Sequence, residues 1–522
     1  MPEPTLVPAG RLETAPFAGR RLRLGIRDEG QPWPAWAGEV MSKVLADTRI
    51  EVWRMPGGTV KAKPVRRCLV QRWFDRFDRR RLRSWLETRG IEQLPPLVID
   101  LPAWPGVEPD IIWHLGELDS GFFEAPPLGV WHYRPQDAMR EVFEGESIST
   151  TRLMARLADG DHLLGTAEAR VHSSSPAITA FQRDEAGARL MMDALERLLG
   201  GQWSATALAQ RHPLMQEAHG SRLASNITLG CWLLSRWIPR VLAAKRAPRA
   251  LDQWTVGLVQ REPDAAPGEI RLDQIAWLTP PSDAFVADPF LWQHEGQWYV
   301  FAEVLPFATG KGHLAVCTWS TSEGFGPLET VLCEETHLSY PFLFEHEGRL
   351  YLMPERYNGG ELCAYECVEF PHHWRLARVV KAGLRCADAT LLRHEGRWWL
   401  FYTAVHGGAS EDSLYACYGD TPFGPWTAHP LNPLRSGLRG SRMAGGFIRL
   451  KDGRLLRPGQ DASARYGGAT ILHEVDMLTP DHYQEHECAV IDPTRFSPPW
   501  NERCHTWNEH AGLIALDACR TL

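Results

Sequence analysis

An α/β unit with a mainly parallel, Rossmann-like sheet followed by an all-β five-bladed propeller is the fold class this sequence predicts. Three observations predict it. Through the first 200 or so residues, short apolar strands alternate with amphipathic helices. After Trp254 helical periodicity stops, and short aromatic and β-branched strands with turn signals replace it. Within that second half, one short pattern returns at intervals the length of a propeller blade.

In the first half, RLRLGI (21–26) reads as a strand, AWAGEVMSKVLAD as a helix, and RIEVWRM (49–55) as a strand again. A basic helical stretch follows at 71–88, then strands LVIDL (97–101), DIIWHLG (110–116) and GVWHY (129–133). Ala180 to Leu199 reads as a closing helix, stopped by Gly200-Gly201. A domain over 18–205, a helical linker over 206–250 and a propeller over 251–522 follow. At 522 residues the chain exceeds one ordinary core, so two domains are expected.

A net charge of −8 argues against nucleic acid as partner, because phosphate binding needs a concentrated positive field. The 22 tryptophans suit a carbohydrate ligand, whose C–H faces pack on flat rings. Eleven scattered cysteines with no CxxC pair predict reduced thiols and a cytoplasmic protein. The first twenty residues carry no apolar h-region, so no signal peptide is expected. Nor is there an apolar run of the ~18 residues that a spanning helix needs. The segment 227–249 is apolar and ends in Lys245, Arg246 and Arg249. It reads as an interdomain helix or as a peripheral contact with the inner membrane, and Pro239 interrupts it.

The repeat begins HEGQWYVF at His294, HEGRLYLM at His346, HEGRWWLF at His394 and KDGRLLRP at Lys451. The intervals are 52, 48 and 57 residues, and each copy is a β-hairpin with a tight Gly turn. A fifth copy runs from Cys504 to Ala518, and DQWTVGLVQ (252–260) is placed to supply the outer strand of that last blade and close the ring. Equivalent positions in a propeller occupy equivalent places around the funnel. Six residues before each turn motif lie Asp288, Tyr340, Asp388 and Gly445; nine residues after its start lie Glu303, Glu355, Thr403 and Gln460, with Asp461 beside the last. Two polar rings therefore converge on one opening.

A lone Asp at a strand entrance is often a turn cap. Asp288 and Asp388 at one register in separate blades, with Glu303 and Glu355 also matched, read instead as a site. Glycosidic chemistry needs one carboxyl protonated to assist the leaving group and one ionised to activate the attacking oxygen. Crowding like charges in a funnel raises one pKa and creates that acid. Arg442, Asp461, Arg465, Tyr466, His505 and Asn508 also fall where strands of the last two blades begin or end, as ligand-binding or structural residues. The turn residues His294, His346 and His394 are explained by the repeat, and no metal site is expected.

ADPFLW followed by GxWYxF resembles the five-bladed propellers of glycoside hydrolase family 43. The ordered set ADPFL, SYPFLFEHEGRLYLMPE, DATLLRHEGRWWLF, RPGQD…RYGGA and HTWN is similar to the N-terminal domain of glucosamine inositolphosphorylceramide transferases over 260–520. The resemblance implies Asp288 as general base and Asp388 as a second acidic position. Tyr340 stands where family 43 has an acid, so Glu355, then Glu303, is the candidate general acid. The resemblance implies the N-terminal domain of those transferases and does not extend to their separate transferase domain, so the transferase activity is not implied by it alone. The first half resembles the formyltransferase fold through PLGVWHYRP (127–135) and LADGDHLL (157–164). His132 falls on that family's His, but Val130 replaces its Asn and Ala158 its Asp, leaving Asp159 or Asp161 as shifted substitutes. This implies the fold without formyl transfer.

These readings converge on a cytoplasmic bacterial carbohydrate-active enzyme that makes or remodels a surface polysaccharide or glycolipid. Asp288 would act as base, Glu355 as acid and Asp388 as tuner. Glu303, Tyr340, Arg442, Gln460, Asp461, Tyr466, His505 and Asn508 would line the substrate. A nucleotide sugar is the candidate donor. Two rivals stand beside this reading. One is N-formyl or acyl transfer to a nucleotide-linked amino sugar, with formyl-tetrahydrofolate and His132, Asp159 and Asp161. The other is a non-catalytic glycan-binding scaffold.

Overall fold

The computed structural model describes residues 20–28, 35–55, 69–87, 100–115, 125–203, 226–239, 241–242, 251–262, 265–356, 360–405 and 410–522. Most of the predicted strand 97–101, residues 206–225 of the linker, residue 88 of the basic stretch, and Lys245, Arg246 and Arg249 lie outside them. The chain divides into two compact units, Met1–Arg246 and Ala247–Leu522.

The first unit runs β1 (Leu22–Asp28), α1 (Ala35–Ala46), β2 (Ile50–Arg54), α2 (Leu69–Glu87), β3 (Ile111–Leu115), β4 (Val130–Pro135), α3 (Ala138–Glu144), β5 (Ile148–Leu157), β6 (Gly160–Arg170), α4 (Pro176–Leu199) and α5 (Asn226–Trp232). Its sheet order is β2-β1-β3-β4-β5-β6. The pairings from β2 to β4 are parallel, and β4-β5-β6 are antiparallel. The departure from a wholly parallel sheet is the β5–β6 hairpin, which takes up the LADGDHLL stretch. Gly160 (φ 141°) lets the chain reverse there. Helix α4 starts four residues before the expected Ala180: Ser175 caps it through Ile178 N (3.2 Å), and Pro176 fills the first turn, where a missing N–H costs nothing.

The second unit is the five-bladed propeller. Blade 1 is built on strands Ala284–His294, Gln297–Pro306 and His313–Ser320; blade 2 on Leu338–His346, Arg349–Arg356, Glu361–Glu369 and His373–Ala382. Blade 3 is built on Cys386–His394, Arg397–Ala404 and Ser413–Gly419; blade 4 on Arg439–Met443, Leu455–Asp461, Ala469–Leu478 and Tyr483–Ile491. Blade 5 joins the two ends of the unit: Leu513–Thr521 pairs with Trp507–His510 on one side and with Asp252–Gln260 on the other, and Ala276–Trp277 lies outside that. Asp252–Gln260 thus closes the ring, as the third strand rather than the outermost. Nine residue pairs in register tie the first strand to the last, leaving neither as a free edge.

The turns explain the repeat. Glu295-Gly296, Glu347-Gly348, Glu395-Gly396 and Ala511-Gly512 all have positive φ at both central residues, the two-residue hairpin geometry whose twist matches that of the flanking strands. Blades 1 to 3 are wedged together by Phe290, Phe342, Phe344, Tyr351 and Trp398, all buried. Replacing such a ring by alanine costs about 3–5 kcal/mol.

Candidate active site

The first polar ring is set by backbone strain. Asp288 (φ 52°), Tyr340 (φ 48°), Asp388 (φ 50°) and Gly445 (φ 138°) all adopt positive φ. For the three non-glycine residues this costs on the order of 1–3 kcal/mol each and persists only where the surroundings fix it. In the first three blades the strand register slips at this point, so each is a bulge that re-aims one side chain. The second ring sits across the ladder from it: Glu303 opposite Ala287, Glu355 opposite Ser339, and Thr403 opposite Ala387.

Asp288 is almost buried. Its Oδ1 accepts from Thr506 Oγ1 (2.8 Å) and its Oδ2 from Tyr340 N (3.1 Å). His505 Nε2 lies 3.6 Å from Oδ1, while His505 Nδ1 is 2.6 Å from Asp517 Oδ2. Burial pushes the Asp288 carboxyl up to about 7; the His505 charge opposes this, and Glu303, Asp388 and Asp517 add to it. Burial would lower His505, but Asp517 overrides it and lifts the imidazole to about 9. His505 also packs on Trp254, with ring centroids 4.2 Å apart.

Asp517 is the anchor of this group. Its Oδ1 accepts from His505 N (2.8 Å) and Thr506 N (3.0 Å), and its Oδ2 from Asp288 N (3.3 Å). Ligand atoms of Asp288, His505 and Asp517 lie within 4.8 Å of one another, a spacing that suits a cation. A cation there would take the neutral imidazole, so its binding would displace the proton that Asp517 favours on His505.

The second group centres on Asp388. Arg442 donates to it through Nε (2.6 Å to Oδ2) and an NH2 group (3.1 Å to Oδ1), and Gln460 Nε2 donates to Oδ2 at 2.7 Å. Glu355 Oε2 accepts from Asp388 N (3.0 Å) and lies 3.6 Å from Arg442. Burial pushes the Glu355 carboxyl up; Arg442 opposes this, and the Asp388 charge reinforces it. Tyr466 joins the two groups: Arg442 stacks over its ring at 5.5 Å, and the ring meets His505 edge-on at 5.3 Å. Tyr340 joins them from the other side, donating its backbone N–H to Asp288 and pairing its hydroxyl with Thr390 Oγ1 (2.8 Å).

The structure therefore gathers Asp288, Tyr340, Glu355, Asp388, Arg442, Gln460, Tyr466 and His505. Glu303 is buried beside His337 (3.2 Å), with Gly312 leaving it room. Asp461 pairs with Arg439 and caps Ser463, away from Asp388. Asn508 bridges backbone groups, accepting from Gly446 N (2.6 Å) and donating to Pro289 O (2.8 Å). In the first unit, His132 Nε2 meets Asp161 Oδ1 at 3.3 Å, but Asp161 is also gripped by Arg156 (2.5 and 2.8 Å). Burial opposes ionisation of Asp161, yet the bonds from Arg156 and His132 hold its carboxyl far below the usual range. Asp159 pairs with His162 instead, at 2.8 Å.

Sequence reasoning missed Asp517, Thr506 and His337. Asp517 alone carried a signal: it is the only charge in the apolar strand LIALDA.

A buried pair of proton-binding carboxyls in the funnel of a five-bladed propeller is the class of site defined here. The family described as glucosamine inositolphosphorylceramide transferase 1, N-terminal, matches residues 273–511. Glucosamine inositolphosphorylceramide transferase 1 of Oryza sativa subsp. japonica is 31% identical over 297 residues, covering 52% of this chain and 40% of the relative. The Arabidopsis thaliana protein of that name is 37% identical over 210 residues, covering 39% of this chain and 27% of its own. The match thus spans well under half the length of these relatives. Among solved structures, the exo-β-1,3-galactanase of Phanerochaete chrysosporium aligns at 14% identity and a TM-score of 0.34, over 41% of this chain and 53% of its own.

Proposed function

We propose that this chain is a carbohydrate-active enzyme that transfers or hydrolyses a glycosyl group in the propeller funnel. The similarity of residues 273–511 to the transferase family suggests a nucleotide-sugar donor and a glycolipid acceptor. The observation that carries the reading is that the two buried carboxyls have different partners, Asp288 beside His505 and Glu355 between Asp388 and Arg442. Asp288, poised near 7 beside a cationic His505, suits a general base that must be ionised. Glu355, buried and crowded by Asp388, keeps its proton to higher pH and suits the acid that protonates the leaving oxygen. Asp388, clamped by Arg442 and Gln460, tunes Glu355 through charge and its backbone N–H. Asp288 and Glu355 keep 6% and 8% of their surface exposed, enough to touch a ligand, whereas Asp517 has 0% and can act only through its neighbours.

The setting we propose is cytoplasmic and biosynthetic, making or remodelling a surface polysaccharide or glycolipid. The test is thermal stabilisation of the full chain by a panel of nucleotide sugars and simple glycosides, followed by turnover of whichever binds. Stabilisation and turnover that Asp288→Asn abolishes are expected. Full turnover in that variant would sink the reading.

A second reading places N-formyl or acyl transfer in the first unit, with a formyltransferase-like fold there. The meeting of His132 with Asp161 favours it. It requires stabilisation by formyl-tetrahydrofolate and loss of acyl transfer in His132→Ala. Asp161, fixed by Arg156, would serve to orient His132 rather than to take up a proton.

A further inference from the structure

The first unit carries a surface that the glycosyl chemistry does not use. Helix α2 packs inward through Phe74, Phe77 and Arg81. Phe74 lies 5.3 Å and Phe77 5.6 Å from the ring of Trp237, which follows α5 in the chain. Arg81 bonds Ser174 O (2.7 Å) and stacks over the same tryptophan (5.7 Å). At about 100° per residue, Arg72, Arg76, Arg79, Arg80 and Arg83 fall in an arc of roughly 100° on the side opposite Phe74. All five are exposed. None has an ion-pair or hydrogen-bond partner among the described residues, in contrast with the inward Arg81. The exposed acid of the helix, Glu87, is its last residue.

The arc is flanked by apolar groups. Trp73 is 59% exposed and stacks on Phe77, which places it between the arginine arc and the α5 segment. On that segment Leu234 (70%), Ile238 (37%) and Leu242 (44%) are exposed at successive four-residue steps. Two adjacent helices thus present unpaired guanidinium groups beside a tryptophan and an aliphatic stripe, on a chain whose net charge is −8.

We propose that this face docks on a lipid bilayer carrying anionic headgroups. Guanidinium groups pair bidentately with phosphate and carboxylate. Tryptophan settles at headgroup depth, and an aliphatic stripe enters the acyl boundary. Nucleic acid would use the arginines but has no place for Leu234, Ile238 and Leu242. A bilayer uses both. The contact is independent of the glycosyl reading, and no described helix is long and apolar enough to cross the membrane.

The test is sedimentation of the full chain with phosphatidylcholine vesicles, with and without phosphatidylserine. Partitioning onto the anionic vesicles alone is expected. It should weaken as salt shortens the screening length from about 10 Å at 0.1 M to about 3 Å at 1 M. Each arginine at an anionic surface is worth about fivefold, so Arg76→Gln/Arg80→Gln/Arg83→Gln should lower partitioning by roughly 100-fold. Because these side chains are exposed and unpaired, its thermal melting should be unchanged. Trp73→Ala/Leu234→Ser should lower partitioning severalfold at the same salt. Three outcomes would overturn the proposal: no partitioning at low salt, partitioning that survives the triple replacement, or tighter binding to a duplex oligonucleotide than to the anionic vesicles. The last would favour nucleic acid instead.

Discussion

The propeller buries two clusters built from the same kinds of side chain, and they behave in opposite ways. In blade 4, Arg457 donates to both oxygens of Glu485 at 2.7 Å, and Tyr483 donates to Glu485 at 2.5 Å. His473 completes the group, 3.3 Å from Arg457. Burial would raise the Glu485 carboxyl, yet Arg457 holds it down at about 2. Burial, with Arg457 adding to it, drives His473 down to about 3. Each group there is locked in one protonation state at neutral pH. In the funnel, Asp388 takes the bidentate arginine, and its neighbours Asp288 and Glu355 are left with raised pKa values. The chemistry of the parts is shared; the difference is how many carboxylates compete for each cation. One carboxylate per arginine makes a structural pin. Several carboxylates around one arginine and one imidazole make groups that exchange protons near neutrality.

The largest expected effects set the two clusters against each other. Asp288→Asn and Glu355→Gln should each lower turnover by about 10²–10⁴-fold, the usual cost of losing an acid or base. The stability sign runs the other way. Asp288 has its folded pKa raised from 3.8 to about 7, so its stabilising contribution is full below 3.8 and lost as pH rises through 7. The asparagine variant should therefore melt no lower than the parent at pH 8. Arg457→Ala should do the reverse. Stripping one partner from a buried pair costs about 3–5 kcal/mol, read as a lower melting temperature, while turnover per folded molecule is kept. Glu485, whose folded pKa lies below its ordinary 4.5, contributes stability that is present above 4.5 and lost as pH falls through about 2. A melting curve that ignores Arg457→Ala would break the comparison.

Much of this contrast was legible in the sequence because a propeller repeats. The register of the HEG turns located Asp288, Tyr340, Asp388, Glu303 and Glu355, and the structure shows why: the bulge recurs at the same step of blades 1 to 3, at φ near 50°. The repeat could not reveal what its members touch. Asp461 sits beside Gln460 in sequence, but a β-strand turns adjacent side chains to opposite faces, so Gln460 reaches Asp388 while Asp461 reaches Arg439. Asp517 belongs to the closing blade, where the strand borrowed from Asp252–Gln260 offsets the pattern, and no register argument pointed to it. In the first unit, strand–helix alternation pointed to β1–β4, but β5 and β6 follow one another with no helix between them and so fall outside that pattern.

A sharper division follows from the pH dependence of turnover. The base must be ionised, so kcat/KM should rise as pH passes the value for Asp288, near 7. The acid must be protonated, so it should fall again as Glu355, raised by burial, loses its proton. A bell whose ascending limb lies near neutrality, far above an ordinary carboxyl, is expected. An ascending limb near pH 4 would mean that Asp288 is solvated when substrate is bound, and would remove the distinction from the blade 4 carboxylate.

The smallest effect isolates His505. The imidazolium, 3.6 Å from Asp288 Oδ1 and held by Asp517, favours the ionised base. His505→Gln removes that cation and keeps a polar side chain beside Asp517. Asp288 then faces Glu303, Asp388 and Asp517 without compensation, so its pKa should climb further and the ascending limb should move up by about one unit. One unit is 1.36 kcal/mol, or roughly tenfold in kcat/KM at neutral pH, recoverable at higher pH. A merely structural histidine would lower kcat/KM equally at every pH and leave the limb in place. Recovery at high pH is therefore the outcome that separates a group tuning its neighbour's proton from one that only fills space beneath Trp254.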